Sequence, residues 1–350
     1  MKVVYFGDYS PSYARNRVLL RGLALQGVDV IQCVTDKKGI DAKQDLENKF
    51  KDIVDDYDCV IVGYSDSRWV VPFVKKLTKK PIVWDAFYSL YDAWIFDKKL
   101  AGRFSLKALY YWLSDWRSCR LANAVLLDTK AHVQYFNKKF FVPKDKLHHL
   151  LVGTDDTVMK PQEVNDKPGF LVSFLGKYIP LQGPQYIIRA AKLLEENTDI
   201  QFQMIGSGQL YKRCQEIVGE LQVQNISFIK PIPYEDMPAA IAPADVTLGI
   251  FGDTDKTQRV IPNKVYESAA LAKAIISADT PAIRELFTHE KDVFLCEAAN
   301  PEALAAAIQR LYDDKELRES IAKGARKTFE EKATPEIIGE RFISLLQTLI

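Results

Sequence analysis

Two patterns of apolar residues alternate along the first half of the chain. Short runs that are apolar almost throughout, such as residues 2–7 (KVVYFG) and 59–64 (CVIVGY), are bounded by polar or turn residues. Between them lie stretches with apolar residues at helical spacing, as in residues 15–28 (RNRVLLRGLALQGV). Apolar strands that alternate with helices are typical of a parallel sheet covered on both faces. The pattern therefore predicts a doubly wound α/β domain. Further strands are predicted at residues 29–34, 81–86 and 124–129.

The same alternation of apolar runs and helical stretches begins again after a polar stretch with two prolines, residues 159–169 (MKPQEVNDKPG). This stretch has no periodicity, and we interpret it as a linker. Apolar runs and helical stretches then alternate again, which predicts a second parallel α/β domain. The tail from Pro301 onward is predicted to be mostly helical. The predicted strands of the second domain are residues 170–176, 200–206, 226–230, 246–251 and 274–278.

These patterns divide the chain into domains of residues 1–165 and 166–335, followed by a final helical segment, residues 336–350. A length of 350 residues exceeds the size at which one hydrophobic core usually keeps growing, which also favours two domains. Two such domains facing each other leave a cleft at the carboxyl ends of their strands, where open α/β sheets bind ligands. We expect the functional site in that cleft.

Charge and cysteine content exclude several classes of protein. The formal net charge of +1 provides no global field, so we expect no nucleic-acid partner. The five cysteines are scattered without a Cys-x-x-Cys pair, which argues against a zinc site and a disulfide framework. The chain starts directly with a predicted strand, and no stretch reaches the roughly 20 apolar residues of a membrane span. A cytoplasmic location is therefore expected.

The loop after the first strand of the second domain suits an anionic ligand. It lies within residues 174–183 (FLGKYIPLQG) and opens a helix, whose first turn presents free N–H groups and a partial positive charge. Gly176 lets backbone approach a ligand closely, and Lys177 adds a point charge. Gly206 and Gly208 repeat the arrangement one strand later. Glycine after a strand is also the usual way to turn a chain, so each loop alone is equally compatible with a structural role.

A third loop leads into a helix that carries two charged residues on one face. Pro262 and Asn263 suit the start of this helix, and Lys264 and Glu267 lie three residues apart on it. One interpretation is an ammonium for a diphosphate and a carboxylate for two ribose hydroxyls. The other is an ordinary solvated Lys–Glu pair. Spacing alone does not decide between them.

Four stretches in this order resemble a known family. They are FLGKYIPLQGPQYIIRAAKLL, FQMIGSGQL, ISFIKPIPYEDMPAAIAPADVTLGIF and IPNKVYESAALAKAIISADTPAIRELF. Together they look like the C-terminal domain of family-4 retaining glycosyltransferases of the GT-B fold. The first half matches more loosely, through residues 122–129 (ANAVLLDT) and 148–161 (HHLLVGTDDTVMKP). The resemblance implies two Rossmann-like domains facing across a cleft, an N-terminal one for the acceptor and a C-terminal one for a nucleotide sugar. It also implies that the last helix packs back on the N-terminal domain.

Carried over position by position, the resemblance implies roles for individual residues. Lys177 stands where a basic residue binds the diphosphate of the donor. Glu267 matches the second glutamate of a Glu-x7-Glu pattern, which in relatives bonds the ribose hydroxyls. The other implied contacts, to the phosphates, the donor pocket and the base, are at Gly176, Gly206, Gly208, Pro231, Tyr234, Asn263 and Lys264.

The sequence departs from the family pattern at two donor-site positions. Arg259 stands where the first glutamate of the pattern is expected, so Asp253 or Asp255 would have to substitute, or the arginine would bind phosphate. Gln182 stands where relatives often have a second phosphate-binding lysine.

A third departure concerns the N-terminal domain. Residues 81–92 contain no histidine, although many relatives keep one there near the donor sugar. Asp85 is the nearest polar residue and is our catalytic candidate in this segment, with capping of a loop as the alternative. His132 follows another strand end and could approach the acceptor, or it could be a surface or capping residue.

The resemblance implies an enzyme that moves a sugar from a nucleotide diphosphate to a glycan or lipid-linked acceptor with retention, in cell-surface polysaccharide or glycoconjugate synthesis. Backbone N–H groups, a helix terminus and Lys177 would stabilise the leaving diphosphate, so neither a metal nor another cofactor is expected. Lys177, Glu267 and Asp85 are the predicted catalytic residues. A nucleotide-sugar epimerase of the same fold is one alternative. A non-catalytic sugar-nucleotide-binding protein is another, because of Arg259.

Residues 84–120 concentrate four of the five tryptophans together with tyrosines and with Lys98, Lys99, Arg103 and Lys107. Aromatic residues mixed with cations favour a lipid headgroup interface. They also build ordinary helix packing or a sugar-stacking surface. Peripheral contact with the inner face of the membrane is therefore one of two interpretations of this segment.

Overall fold

A computed structural model describes residues 1–54, 56–163 and 168–350 of the chain. The predicted boundary between residues 165 and 166, and the middle of the predicted linker, lie outside these residues. The chain divides into two compact units. Unit 1 comprises Met1–Asp155 together with Ala333–Ile350, and unit 2 comprises Asp156–Lys332.

Unit 1 contains one six-stranded sheet in which every neighbouring pair is parallel, with the order β2-β1-β3-β4-β5-β6. Strands β3 and β5 are buried along their whole length, as predicted for a sheet covered on both faces. The order of strands reverses direction between β1 and β3, which makes this the topological switch point of unit 1. The strands are β1 (Lys2–Gly7), β2 (Asp29–Val34), β3 (Cys59–Val62), β4 (Ile82–Phe87), β5 (Ala124–Leu127) and β6 (Leu147–His149).

Helices connect the strands of unit 1, and a single π-helical turn, Asp92–Asp97, follows β4. Arg15 lies in register with Val18 and Leu19 on the buried face of the first helix. In a helix with 3.6 residues per turn, this position faces the core, so the charged side chain of Arg15 lies where an apolar one is expected. The helices are α1 (Ala14–Leu25), α2 (Gly39–Lys51), α3 (Val70–Leu77), α4 (Leu106–Leu121) and α5 (Lys130–Phe140).

Unit 2 has a second six-stranded parallel sheet, with the order β12-β11-β10-β7-β8-β9. Its first strand, β7, lies at the centre, and the following strands extend from it in both directions. The switch point of unit 2 is therefore between β7 and β10. The strands are β7 (Phe170–Lys177), β8 (Ile200–Ser207), β9 (Ile226–Ile229), β10 (Val246–Leu248), β11 (Ala274–Ala278) and β12 (Phe294–Cys296).

The helices of unit 2 cover both faces of this sheet. Between β9 and β10 the chain forms a 3-10 turn, Tyr234–Asp236, and the short helix Met237–Ile241. The tail from Pro301 is helical, as predicted. The helices are α6 (Pro184–Leu193), α7 (Tyr211–Leu221), α8 (Met237–Ile241), α9 (Asn263–Ala270), α10 (Pro301–Asp313) and α11 (Lys315–Lys332).

The last helix, α12 (Pro335–Gln347), belongs to unit 1 and packs against α1. Two glycines make this contact close. A Cβ atom on Gly22 would lie 2.6 Å from the carbonyl oxygen of Pro335, and one on Gly339 would lie 2.3 Å from that of Gly22. Neither distance can be accommodated without moving backbone. Glycine at both positions thus allows the end of the chain to pack on its first helix.

Candidate functional site

The two glycine loops at the carboxyl ends of β7 and β8 lie side by side. The ladder between these strands continues to their ends, where Gly176 pairs with Gly206 and Lys177 with Ser207. Gly206 has a φ of 136°, and a Cβ atom on it would lie 2.0 Å from the carbonyl oxygen of Gly176. Only glycine permits this approach. The backbones of the two loops are thereby held together, while the side chain of Lys177 is exposed.

The loop after β7 rests on the loop after β10, across the switch point of unit 2. Gly183, with a φ of 66°, immediately precedes α6, and a Cβ atom on it would lie 2.5 Å from the carbonyl carbon of Phe251. The N–H of Phe251 donates to the carbonyl oxygen of Gln182 at 3.1 Å. No acidic residue lies in the first turn of α6. The positive end of the α6 dipole therefore meets no acidic residue of its own helix, an arrangement that suits an anion.

Lys264, in the first turn of α9, extends toward these glycines. Its Nζ donates to Oε1 of Gln182 at 2.5 Å and lies 3.5 Å from the centroid of the Phe174 ring. A Cβ atom on Gly176 would lie 2.6 Å from that Nζ. Burial lowers the pKa of Lys264 well below its ordinary value, and the charge of Glu267 acts in the opposite direction. The site therefore holds a buried amine whose hydrogen-bond acceptor is neutral.

The interpretation of Lys264 and Glu267 as a solvated surface pair is wrong. Both residues are only 6% exposed. Every residue of α9 after Asn263 is buried, because the helix follows β10 at the centre of the sheet. A carboxylate and an amine on one helix face thus lie inside unit 2 at its switch point.

The residues around the missing first glutamate lie just before α9. Arg259 ends a 3-10 helix, Asp255–Arg259, and is half-buried. Asp253 and Asp255 are exposed. The hydroxyl of Tyr186, in α6, contacts Asp253, and the pKa of Tyr186 is raised by burial and then by this charge. Asp253, one of the two aspartates that could replace the glutamate, therefore lies next to α6.

The predicted base-binding residues follow β9, the edge strand beside β8. Pro231 is exposed, and Tyr234 is half-buried at the start of its 3-10 turn. Because the strands are parallel, their carboxyl ends share one edge of the sheet. The structure brings to this edge of unit 2 the predicted residues Gly176, Lys177, Gly206, Gly208, Pro231, Tyr234, Arg259, Asn263, Lys264 and Glu267.

Asp85 belongs to unit 1 and is completely buried. Nε and Nη2 of Arg15 donate to its two carboxylate oxygens at 3.0 Å, and Nη1 of Arg15 donates to the carbonyl oxygens of Leu150 and Leu151. Burial raises the pKa of Asp85, and the charge of Arg15 opposes this shift. An internal cation thus occupies both oxygens of the carboxylate that we predicted to be catalytic. We assign Asp85 a structural role, pairing α1 with β4.

His132 is buried in unit 1 and is not a surface residue. Its backbone N–H is bound by the hydroxyl of Thr129 at the start of α5, and its Nδ1 lies 2.5 Å from Oδ1 of Asp128. A carboxylate at Nδ1 favours the tautomer with the proton on that nitrogen, which leaves Nε2 as an acceptor. Nε2 has no hydrogen-bond partner among the described residues.

Aromatic side chains meet at the switch point of unit 1. The ring centroids of Tyr13 and Tyr64 are 5.0 Å apart, and those of Tyr64 and Phe87 are 4.9 Å apart. The Tyr64 hydroxyl lies 2.5 Å from that of Tyr88 and donates to Asp66 at 3.2 Å. Phe87 has a φ of 61°, an outlier for a bulky residue. This aromatic cluster was not predicted, because its members come from three separate segments of the chain.

Residues 1–54, 56–163 and 168–350 hold no group of three or more His, Cys, Asp or Glu side chains placed to bind a metal ion. In the same ranges, no helix has the length and apolarity needed to cross a bilayer.

The two sheets, each wound with helices on both faces, define an α/β protein with two Rossmann-like domains. Solved structures of the GT-B class share this fold. A complex of Anabaena HepE with UDP and glucose matches with a TM-score of 0.74 and 15% identity, over 100% of both chains. The family model described as Glycosyl transferases group 1 matches residues 155–328. Residues 155–328 of the chain therefore belong to this family.

Curated relatives are also similar to parts of the chain at low identity. A putative glycosyltransferase, YtcC of Bacillus subtilis, is 25% identical over 203 residues, which are 55% of this chain and 48% of the relative. Alpha-D-kanosaminyltransferase of Streptomyces kanamyceticus is 21% identical over 247 residues, 67% of this chain and 63% of the relative. The matches thus span from about half to just under two thirds of the length of these relatives.

Proposed function

We propose that the protein is a retaining glycosyltransferase that moves a sugar from a nucleotide-diphosphate sugar to a glycan or lipid-linked acceptor. Membership of the group 1 glycosyl transferases supports this, as do relatives named as glycosyltransferases and a structural neighbour solved with UDP and glucose. The observation that carries the proposal is the buried amine of Lys264 beside Gly176 at the switch point of unit 2. A buried amine gains a favourable partner when an anion binds beside it, because the anion stabilises its charged form.

In this proposal the diphosphate binds at the carboxyl ends of β7 and β10. Negative charge builds up on the leaving nucleotide as the anomeric carbon becomes oxocarbenium-like. The positive end of α6, with Lys177 and Lys264, would stabilise that charge, and these groups need no reorganisation as the bond breaks. Glu267, buried one turn further along α9, would accept hydrogen bonds from the ribose hydroxyls. No step of this scheme requires a metal, and metal independence is part of the proposal.

The aromatic cluster of unit 1 is the proposed contact for the acceptor. Tyr13 and Tyr88, at its periphery, are half-exposed. Aromatic rings offer an apolar face and, in tyrosine, a polar hydroxyl. The faces suit the C–H groups of a sugar ring, and the hydroxyls suit its OH groups. The acceptor would then be a glycan, or a lipid-linked molecule that ends in a sugar, used in cell-surface polysaccharide or glycoconjugate synthesis.

A non-catalytic nucleotide-sugar-binding protein is the second candidate, favoured by Arg259 in place of the first motif glutamate. Both candidates bind donor, but only the enzyme turns it over. Release of nucleoside diphosphate that depends on an added acceptor would identify the enzyme. NMR of the product would then show whether the anomeric configuration is retained.

Donor binding is testable by the rise in melting temperature with UDP-, GDP- and ADP-sugars, since a ligand of the native state stabilises it according to affinity. We expect one nucleotide series to raise the melting temperature of the wild type. Lys177→Ala and Lys264→Met should each reduce that rise strongly. Lys323→Met, at an exposed lysine on α11, is the control and should leave it unchanged. A full response in both site variants would refute the assigned site.

A further inference from the structure

We propose that residues 98–113, here called the α4 patch, dock unit 1 on an anionic lipid bilayer. The patch comprises the segment after the π-helical turn and the first half of α4. This docking is separate from the transfer reaction, because it concerns where the enzyme works and involves none of the donor-site residues.

The patch exposes large apolar side chains that soluble proteins usually bury. Phe104 is 88% exposed and Leu106 is 87% exposed. Tyr110, Leu109 and Leu113 follow with exposures of 63%, 52% and 44%. Leu100, 48% exposed, is the sixth such residue in the patch. Single exposed apolar residues are common on protein surfaces, but six within sixteen residues of sequence mark an interaction surface.

The exposed residues form one face of α4. Leu106, Tyr110 and Leu113 recur at the i, i+4, i+7 spacing of a helical stripe. The other face packs into unit 1, with Ala108 and Cys119 buried in its core. Helix α4 therefore has one apolar face inside unit 1 and a second apolar face that unit 1 does not cover.

The patch carries positive charge only. Lys99, Arg103 and Lys107 are exposed, and Lys98 is half-buried. The single acidic residue between positions 98 and 121 is Asp115, which is completely buried.

That carboxylate is neutralised internally. Oδ1 of Asp115 accepts from Nε of Arg68 at 2.7 Å, and Oδ2 accepts from the hydroxyl of Ser89 at 2.7 Å and from the N–H of Tyr91. The surface of this segment therefore presents cations to the solvent without an accompanying acid.

Apolar surface and charge are presented together at the tip of the patch. The guanidinium of Arg103 lies 4.5 Å from the centroid of the Phe104 ring. Next to it is a depression of about 280 Å³, lined among others by Tyr91, Arg103 and Trp112. Cationic groups beside an apolar hollow can contact lipid phosphates while the apolar side chains enter the acyl boundary.

Charge complementarity makes an anionic bilayer the expected occupant. Leucine and phenylalanine side chains insert into the headgroup boundary, and each nearby Lys or Arg adds attraction to an anionic leaflet. A sugar-stacking surface would use broad aromatic faces. Here the tryptophans of the segment instead pack into or along unit 1, with Trp84 buried and Trp94, Trp112 and Trp116 half-buried.

Co-sedimentation with vesicles tests this proposal on the full chain. Vesicles of phosphatidylcholine with about one third phosphatidylglycerol are compared with vesicles of phosphatidylcholine alone. The test variants are Phe104→Ser/Leu106→Ser and Arg103→Ala/Lys107→Ala. All four side chains are exposed, so both variants should fold. The control is Lys323→Ala/Lys327→Ala, which removes two exposed cations from α11.

We expect the wild type and the control to bind the anionic vesicles and to bind neutral vesicles at least tenfold more weakly. Each patch variant should lose at least tenfold in binding to anionic vesicles. The rise in melting temperature caused by the donor should stay at the wild-type value, so loss of membrane binding is separable from loss of the donor site. Equal binding to both kinds of vesicle, equal binding by patch and control variants, or a patch-dependent dimer in place of vesicle binding would overturn the proposal.

Discussion

The amine of Lys264 lies 2.5 Å from the side-chain oxygen of Gln182, and the two residues come from opposite sides of the switch point of unit 2. Gln182 ends the loop after β7, and Lys264 is in the helix after β10. The family resemblance places a second phosphate-binding lysine at position 182. In this chain an amide takes that position and holds a lysine from α9. An amine is thus present in the same place, although it comes from another helix.

Nucleotide binding should be coupled to proton uptake at Lys264. Its pKa is low in the free protein because of burial, and a bound diphosphate would favour the charged amine. The affinity for nucleotide should therefore rise as the pH is lowered. The rise should fall in the pH range between the pKa of Lys264 in the complex and its lower pKa in the free protein. Calorimetry in buffers of different ionisation enthalpy measures the uptake. About pH 8.5 is suitable, since a terminal phosphate with a second pKa near 6 is then fully ionised.

The variant Lys264→Met removes the group that would take up the proton. Its binding enthalpy should not depend on the buffer, whereas Lys323→Met should behave like the wild type. The same buffer dependence in the wild type and in Lys264→Met would show that another group takes up the proton.

Replacing Gln182 by glutamate should weaken nucleotide binding without unfolding the protein. The new carboxylate would pair with Lys264 and raise its pKa, and it would repel the diphosphate. A hydrogen bond to a charged group contributes about 1.5–3 kcal/mol, so affinity should fall by about ten- to a hundredfold. Thermal unfolding with and without nucleotide measures both effects.

Gln215→Glu, at an exposed position on α7, is the matched control for this charge change. It should bind nucleotide like the wild type. The Gln182→Glu protein should melt at or above the wild-type temperature without nucleotide and should gain little from its addition. Wild-type affinity in Gln182→Glu would show that Lys264 does not contact the diphosphate.

The fold was predictable from the sequence because apolar strands and amphipathic helices follow one another with little interruption. Strands β6 and β12, three residues each, were not predicted, whereas β10, equally short, was predicted because it lies within the longer apolar run of residues 246–251. The glycine loops were predictable for a local reason, since glycine after a strand allows backbone to pack closely. Gly176 and Gly206 indeed face each other.

The environment of the charged side chains was not predictable, because it depends on tertiary contacts. Lys264 and Glu267 have the spacing of a solvated pair, and only the position of α9 beside the central strand buries them. Asp85 and Arg15 are 70 residues apart. Arg15 has the helical spacing of the buried residues of α1. This spacing was the sequence signal for a buried arginine, and therefore for a buried carboxylate as its partner.

The contact between α1 and α12 should be sensitive to a single methyl group. Gly339→Ala would place a Cβ atom 2.3 Å from the carbonyl oxygen of Gly22, and overpacking of this kind costs about 1–3 kcal/mol. Limited proteolysis should release the C-terminal segment faster, and urea unfolding should give a lower free energy. Gly219→Ala is the control, since no atom lies within 4 Å of the new methyl group. That variant should be neutral or slightly more stable. Equal behaviour of the two variants would contradict the close contact.

Removal of the Asp85 charge should affect folding and leave nucleotide binding intact. In Asp85→Asn the buried guanidinium of Arg15 loses its counter-charge, and breaking a buried ion pair costs about 3–5 kcal/mol. Urea unfolding should show a loss of this size. Arg15→Met/Asp85→Leu, which removes both charges, should recover part of the stability. The nucleotide-induced rise in melting temperature should persist in both proteins, because the proposed nucleotide site is in unit 2. If Asp85→Asn keeps wild-type stability but loses turnover, Asp85 is a catalytic residue after all, and the structural role assigned to it is wrong.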